Sequence, residues 1–172
     1  MRPFYASPHM KRTDKWISAA LLAACMPLAA HAAQGIEARS YASDLATLYD
    51  EHQRVLAMRE ACVAAQPALR NEVEGAYKDW EGRHSRLIDD MENRFAALIK
   101  RASKDQADFS RNYGKYQSEV LALREDNKRT LVAQDKENFA EQCREFSVYL
   151  RHSRSDIPAM FPAEYRNIYR AR

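Results

Sequence analysis

The longest regular pattern of apolar positions runs from Ala68 to Ser153. In its first part Leu69, Val73, Ala76, Trp80, His84, Leu87, Met91, Phe95, Leu98 and Ala102 recur every three or four residues, the period of one face of an α-helix. In its second part Phe109, Tyr113, Tyr116, Val120, Leu123, Asn127, Leu131 and Gln134 lead into Phe139, Cys143, Phe146 and Leu150. Between the two stands Ser103-Lys104-Asp105-Gln106, an S-x-x-Q capping box that predicts a helix start at Ser103. No proline or glycine occurs from Lys115 to Ile157, so the second part reads as one helix of roughly 45 residues. The alternative is a break near Asn127–Thr130, which would give a four-helix bundle.

A further stripe, Tyr41, Leu45, Leu48, His52, Val55, Arg59 and Cys62, predicts a helix over Ile36–Gln66, ended by Pro67. The fold class is therefore all-α: a three-helix antiparallel bundle over residues 33–156, dominated by a long helical hairpin. Folding the hairpin at Ser103–Lys104 brings Cys143 within a turn of Cys62. Each cysteine lies on its own apolar stripe, and a disulfide needs Cα atoms within about 7 Å, so a Cys62–Cys143 bridge is expected. The same folding sets Asn127 level with Trp80.

The first helix would reach only to the level of residue 94. Phe95, Leu98, Ile99 and Phe109, at the hairpin tip, would then lack a third helix to cover them. They are the candidate partner-binding residues, for a foreign protein or for a second copy in a homodimer. Gly75 and Gly82 share a face of the second helix, where they read either as a close approach of another backbone or as two weak helical positions.

The N-terminus changes the meaning of composition. Lys11, Arg12 and Lys15 precede the apolar run Trp16–Leu28, and Ala30-His31-Ala32 fits a small-x-small cleavage site, so residues 1–32 read as a secretory signal peptide. The expected location is periplasmic or secreted. Leu22-Ala23-Ala24-Cys25 also resembles a lipobox, which would make the protein a structural envelope lipoprotein anchored through Cys25; the apolar residues after Cys25 favour ordinary cleavage. The run is short of the roughly 20 residues a membrane span needs, so no integral span is expected in the mature chain. Two cysteines then remain in an oxidising compartment, as a bridge requires. The whole chain has 27 Lys and Arg against 24 acids. Four of those cations and one of those acids lie in residues 1–33, leaving 23 of each. A neutral chain is a poor nucleic-acid ligand, because that affinity rests on neutralised phosphates.

At the other end Asp156-Ile157-Pro158 breaks the last long helix, and residues 157–172 form a tail. Pro162 predicts a short helix over Ala163–Ala171 with Tyr165, Ile168 and Tyr169 on one face. Arg166, Arg170 and Arg172 make this tail basic. It reads either as a segment docking its tyrosines on the bundle or as a basic foot for anionic lipid, cell-wall polymer or protein.

Candidate chemistry is sparse. His52 and His84 fall on inward stripes about one turn apart in height, near Glu81 and Asp126. No H-E-x-x-H, E-x-x-H or C-x-x-C-H spacing accompanies them, and they read as structural imidazoles rather than metal ligands. Nucleophile elbows and glycine-rich phosphate loops are lacking. No catalytic residue, metal or cofactor is assigned. The expectation is a non-enzymatic, exported, adaptor- or chaperone-like helical protein that binds a protein or envelope component through its hairpin tip. A small-ligand or metal carrier using the bundle interior is the alternative.

Overall fold

The computed structural model describes residues 28–170, with side chains from Ser40 onward. The signal-peptide residues before Leu28, the Cys25 lipobox and Arg172 lie outside the described residues. The chain is all-α, with no strand among the described residues. Four long helices come first: α1 (Leu28–Ala65), α2 (Arg70–Ala102), α3 (Gln106–Val132) and α4 (Lys136–Arg151). Two short ones complete the tail: α5 (Ile157–Met160) and α6 (Pro162–Arg170). None of these helices is long and apolar enough to cross a membrane.

The hairpin between α2 and α3 forms as its pattern predicts, with a different cap. Asp105, not Ser103, is the N-cap: its carboxylate accepts from the Asp108 amide at 2.8 Å. Asp108 in turn accepts from the Lys104 amide at 3.0 Å. Two otherwise orphaned backbone donors are satisfied reciprocally. Ser103 instead closes α2, its hydroxyl donating to the Ile99 carbonyl at 2.8 Å.

The uninterrupted helix expected over Lys115–Ile157 is two helices. The chain leaves α3 at Ala133, and Asp135 caps α4 by accepting from the Glu137 and Asn138 amides at 3.0 and 3.1 Å. The break falls a few residues beyond Asn127–Thr130 and uses neither glycine nor proline. An aspartate supplies it, because a short carboxylate competes for amides that would otherwise enter the helix.

After the break the chain turns back and descends beside α2. The Leu150 carbonyl meets Arg83 Nη2 at 2.7 Å, the Ser155 carbonyl meets Trp80 Nε1 at 2.8 Å, and the Ile168 carbonyl meets Arg94 Nη1 at 2.9 Å. Leu150 and Ser155 meet α2 at about one level, at Arg83 and Trp80, and Ile168 meets it farther along at Arg94, so the chain from the end of α4 through α6 forms one column parallel to α2. The indole of Trp80, expected opposite Asn127, is claimed by this column. Cys62 and Cys143 nonetheless meet at disulfide distance, with Cα atoms 5.3 Å apart. The pair is as read from sequence; the path that brings Cys143 there is a reversal, not a continuation.

Helix α1 is the centre of the fold, not a support for the hairpin. It touches α2, α3, α4 and α6. Glu51, His52 and Gln53 are consecutive and all buried, which one helical stripe cannot produce and a helix covered on several sides can. Arg59 grips the Glu74 carboxylate of α2 through both nitrogens at 2.8 and 3.0 Å. Glu60 faces Arg124 and Lys128 of α3 at 3.6 and 3.5 Å. Leu123, assigned inward by its spacing, is turned to solvent, while Arg124 beside it takes the inward position. An alanine Cβ at Gly75 or Gly82 would meet nothing within 4 Å, so these glycines mark no close backbone approach.

Candidate functional site

The tertiary structure brings together two surfaces that the sequence leaves separate. Tyr41 on α1, Arg94 on α2 and Ile168 on α6 lie at one height, because Arg94 Nη1 donates to both the Tyr41 hydroxyl (3.0 Å) and the Ile168 carbonyl (2.9 Å). Asn167 reaches Asp44 of α1 at 3.0 Å, and the Tyr169 hydroxyl reaches Asp90 of α2 at 2.6 Å. Helix α6 therefore runs toward the hairpin tip and ends short of it, two residues past the Arg94 level while α2 continues for eight. The α2–α3 turn, the end of α6 and the start of α1 share one pole of the molecule.

Aromatic rings line this pole. Tyr49 sits edge-on to Phe95 with ring centroids 5.4 Å apart. Phe95 stacks on Tyr116 at 5.0 Å, Tyr116 neighbours Tyr113 at 6.2 Å, and Tyr113 stacks on Phe109 at 5.6 Å. The series runs from the buried core at Tyr49 to the half-buried Phe109 near the turn. Phe95 and Leu98 pack against the core, so their role in the fold is structural. Ile99 and Phe109 are half-buried at the tip itself. α1 is also helical from Leu28, eight residues before the expected start at Ile36. From the Tyr41–Arg94 level it continues 13 residues while α2 has only eight left. The premise that the first helix stops near residue 94 does not hold.

The pole is basic. Residues 95–116 contain Lys100, Arg101, Lys104, Arg111 and Lys115 against Asp105 and Asp108. Both acids are engaged in the turn, and Asp108 also holds Arg111 at 3.1 Å. Asp108 is held below the ordinary carboxylate range, first by the Lys104 amide. Arg166 and Arg170 add to this charge, exposed on α6. The Arg94 guanidinium lies 4.8 Å over the Tyr169 ring. Burial acts to raise Asp90, yet hydrogen bonds from Tyr169 and Arg94 leave it below its usual range.

The two inward histidines meet at Trp80. The His52 ring lies 6.2 Å from the indole and the His84 ring 4.5 Å from it. Burial pushes His52 down to about 4. His84 Nδ1 donates to the Trp80 carbonyl at 2.8 Å. Its Nε2 faces the Ile157 amide at 3.4 Å and an Asp156 carboxylate oxygen at 3.2 Å. Glu81, expected near them, accepts instead from the Tyr77 hydroxyl at 2.6 Å. No three metal-ligating side chains gather among the described residues. A shallow recess of about 360 Å³ opens where α2 meets the tail, lined by Arg83, His84, Arg151, His152, Ser153 and Asp156 among others. Arg83, His84 and Asp156 there bind the tail to α2, which makes the recess a structural joint.

Sequence reasoning found the tip and the basic tail and missed their union. The missing signal was Asp135: an aspartate followed by Lys136-Glu137 in an otherwise continuous helical pattern marks the reversal that sends the tail back toward the tip. No protein-family model matches the chain, and no curated protein or solved structure is significantly similar to it.

Proposed function

We propose that the protein is an exported, non-enzymatic helical interaction protein that docks a protein or envelope component on the pole formed by the α2–α3 turn and the end of α6. The observation that carries this reading is the convergence of half-buried aromatic residues and basic side chains on one end of a neutral mature chain. Binding surfaces are enriched in aromatic residues and arginine, with a polar rim. The column α4–α6 is tied to α2 at Trp80, Arg83 and Arg94, so the pole is presented on a braced scaffold. Export is supported by the basic-then-apolar N-terminus and by a cysteine pair at disulfide distance, an arrangement suited to oxidising compartments.

The test is site-specific photo-cross-linking in the host cell. A probe replacing Phe109 or Lys104 should give discrete adducts. The same probe replacing Val148, which is 63% exposed on α4, should give none. Equal labelling at the two places would remove the pole from consideration. Ile99→Ser combined with Phe109→Ser should abolish the adducts at Lys104 while leaving the helical content unchanged; Phe95 is spared because it packs against Tyr49 and Tyr116.

A further inference from the structure

We infer that the partner of this pole is the surface of an anionic phospholipid bilayer, to which the protein binds peripherally and reversibly. The inference rests on the pole being the docking surface and names what docks there. Charge complementarity is the first argument. Lys100, Lys104, Arg166 and Arg170 have no ion pair or hydrogen-bond partner for their side chains among the described residues. Asp105 and Asp108, beside the two lysines, are committed to backbone amides of the turn, while beside the two arginines Asp44 is held by Asn167 and Asp90 by Arg94 and Tyr169, with Glu164 on the same helix. The opposite end is mixed in sign: Asp135, Glu137, Glu141 and Glu145 on α4 stand with Lys136 and Arg144, and Arg70, Lys128 and Arg129 come from the start of α2 and the end of α3. Four cations without an ion pair thus gather at the pole, which an anionic surface attracts first.

The rings are the second argument. Phe109 and Tyr113 are half-buried and stacked, placed to rest at headgroup depth, where aromatic side chains are favoured. The apolar area on offer is small, so attraction to headgroups dominates and is lost as salt screens it.

Each cation close to an anionic leaflet strengthens binding by roughly fivefold. The experiment is flotation of the processed, host-purified protein with phosphatidylcholine vesicles that contain phosphatidylglycerol, and with pure phosphatidylcholine vesicles, at low and high salt. Binding is expected only to the anionic vesicles and only at low salt. Lys100→Ala with Lys104→Ala should weaken it by about 25-fold. Lys78→Ala with Lys136→Ala, the same charge change away from the pole, should alter it less than twofold. Equal loss in both double variants, equal binding to neutral vesicles, or no vesicle binding would each overturn the bilayer as partner. A protein adduct at Phe109 without vesicle binding would overturn the bilayer and leave the docking pole standing. Absence of both would overturn the pole itself.

Discussion

Arg94 of α2 and Ile168 of α6 are 74 residues apart in sequence and joined by a 2.9 Å hydrogen bond from guanidinium to carbonyl. The same guanidinium holds Asp90 at 2.7 Å and the Tyr41 hydroxyl at 3.0 Å, so one side chain ties together α1, α2 and the C-terminal helix. Its position near the tip is what turns a basic tail and an apolar turn into one surface.

Arg94→Met keeps most of the side-chain volume and removes these bonds. The expected loss is about 2–3 kcal/mol, the range for charge-assisted hydrogen bonds whose partners are left behind. Urea denaturation measures it, and hydrogen exchange should show α6 amides losing protection before those of α2. Arg94→Lys retains the charge without the planar fork and should fall between the two.

The cysteine pair closes a sequence separation of 81 residues. In the chain-entropy treatment such a bridge contributes roughly 4 kcal/mol by restricting the unfolded chain. Cys62→Ala with Cys143→Ala should lower the denaturation midpoint accordingly. The wild-type protein should shift by the same amount on adding reductant, and the variant should not respond. Mass spectrometry of the untreated protein should show it two mass units below the reduced form.

His52 gives stability a pH dependence of known sign. Its folded value, lowered by burial to about 4, lies below the unfolded value near 6.5. The unfolded chain therefore takes up the proton first. The contribution is complete above about pH 6.5 and is lost as pH falls toward 4, amounting to roughly 3 kcal/mol at most. Glu51, raised by burial, works in the opposite direction. The difference in thermal midpoint between wild type and His52→Gln isolates the histidine, and it should shrink steadily from pH 7 to 4.

Gly82 is helical, exposed and free of neighbours within 4 Å of an added Cβ. Gly82→Ala should stabilise the protein by about 0.5–1 kcal/mol through helix propensity and a less flexible unfolded chain. Thermal denaturation checks it; a destabilised variant would mean that some partner approaches this face.

Local pattern alone determined the all-α class, the α2–α3 turn and the Pro162 helix, while it joined α3 and α4 into one helix; two cysteines on apolar stripes pointed to the Cys62–Cys143 pair, though by another path. The elements it found follow from the spacing of apolar residues or from backbone-limited residues, and α-helical hydrogen bonds are local. Only the tertiary structure decided which faces of α1 are covered: His52 lies on the inward stripe that the spacing marks, but Glu51 and Gln53 on either side of it are buried too. It also decided the direction of the tail. Asp135 ends one helix and starts another through two amide bonds, a small local preference that becomes a reversal when Phe139, Phe146 and Leu150 find burial against the rest of the bundle. Long-range contacts such as Arg94 to Ile168 leave no periodic trace, because residues so distant in sequence are matched by packing and charge in three dimensions. The pole is therefore a property of the fold, assembled from two segments whose separate characters were already legible.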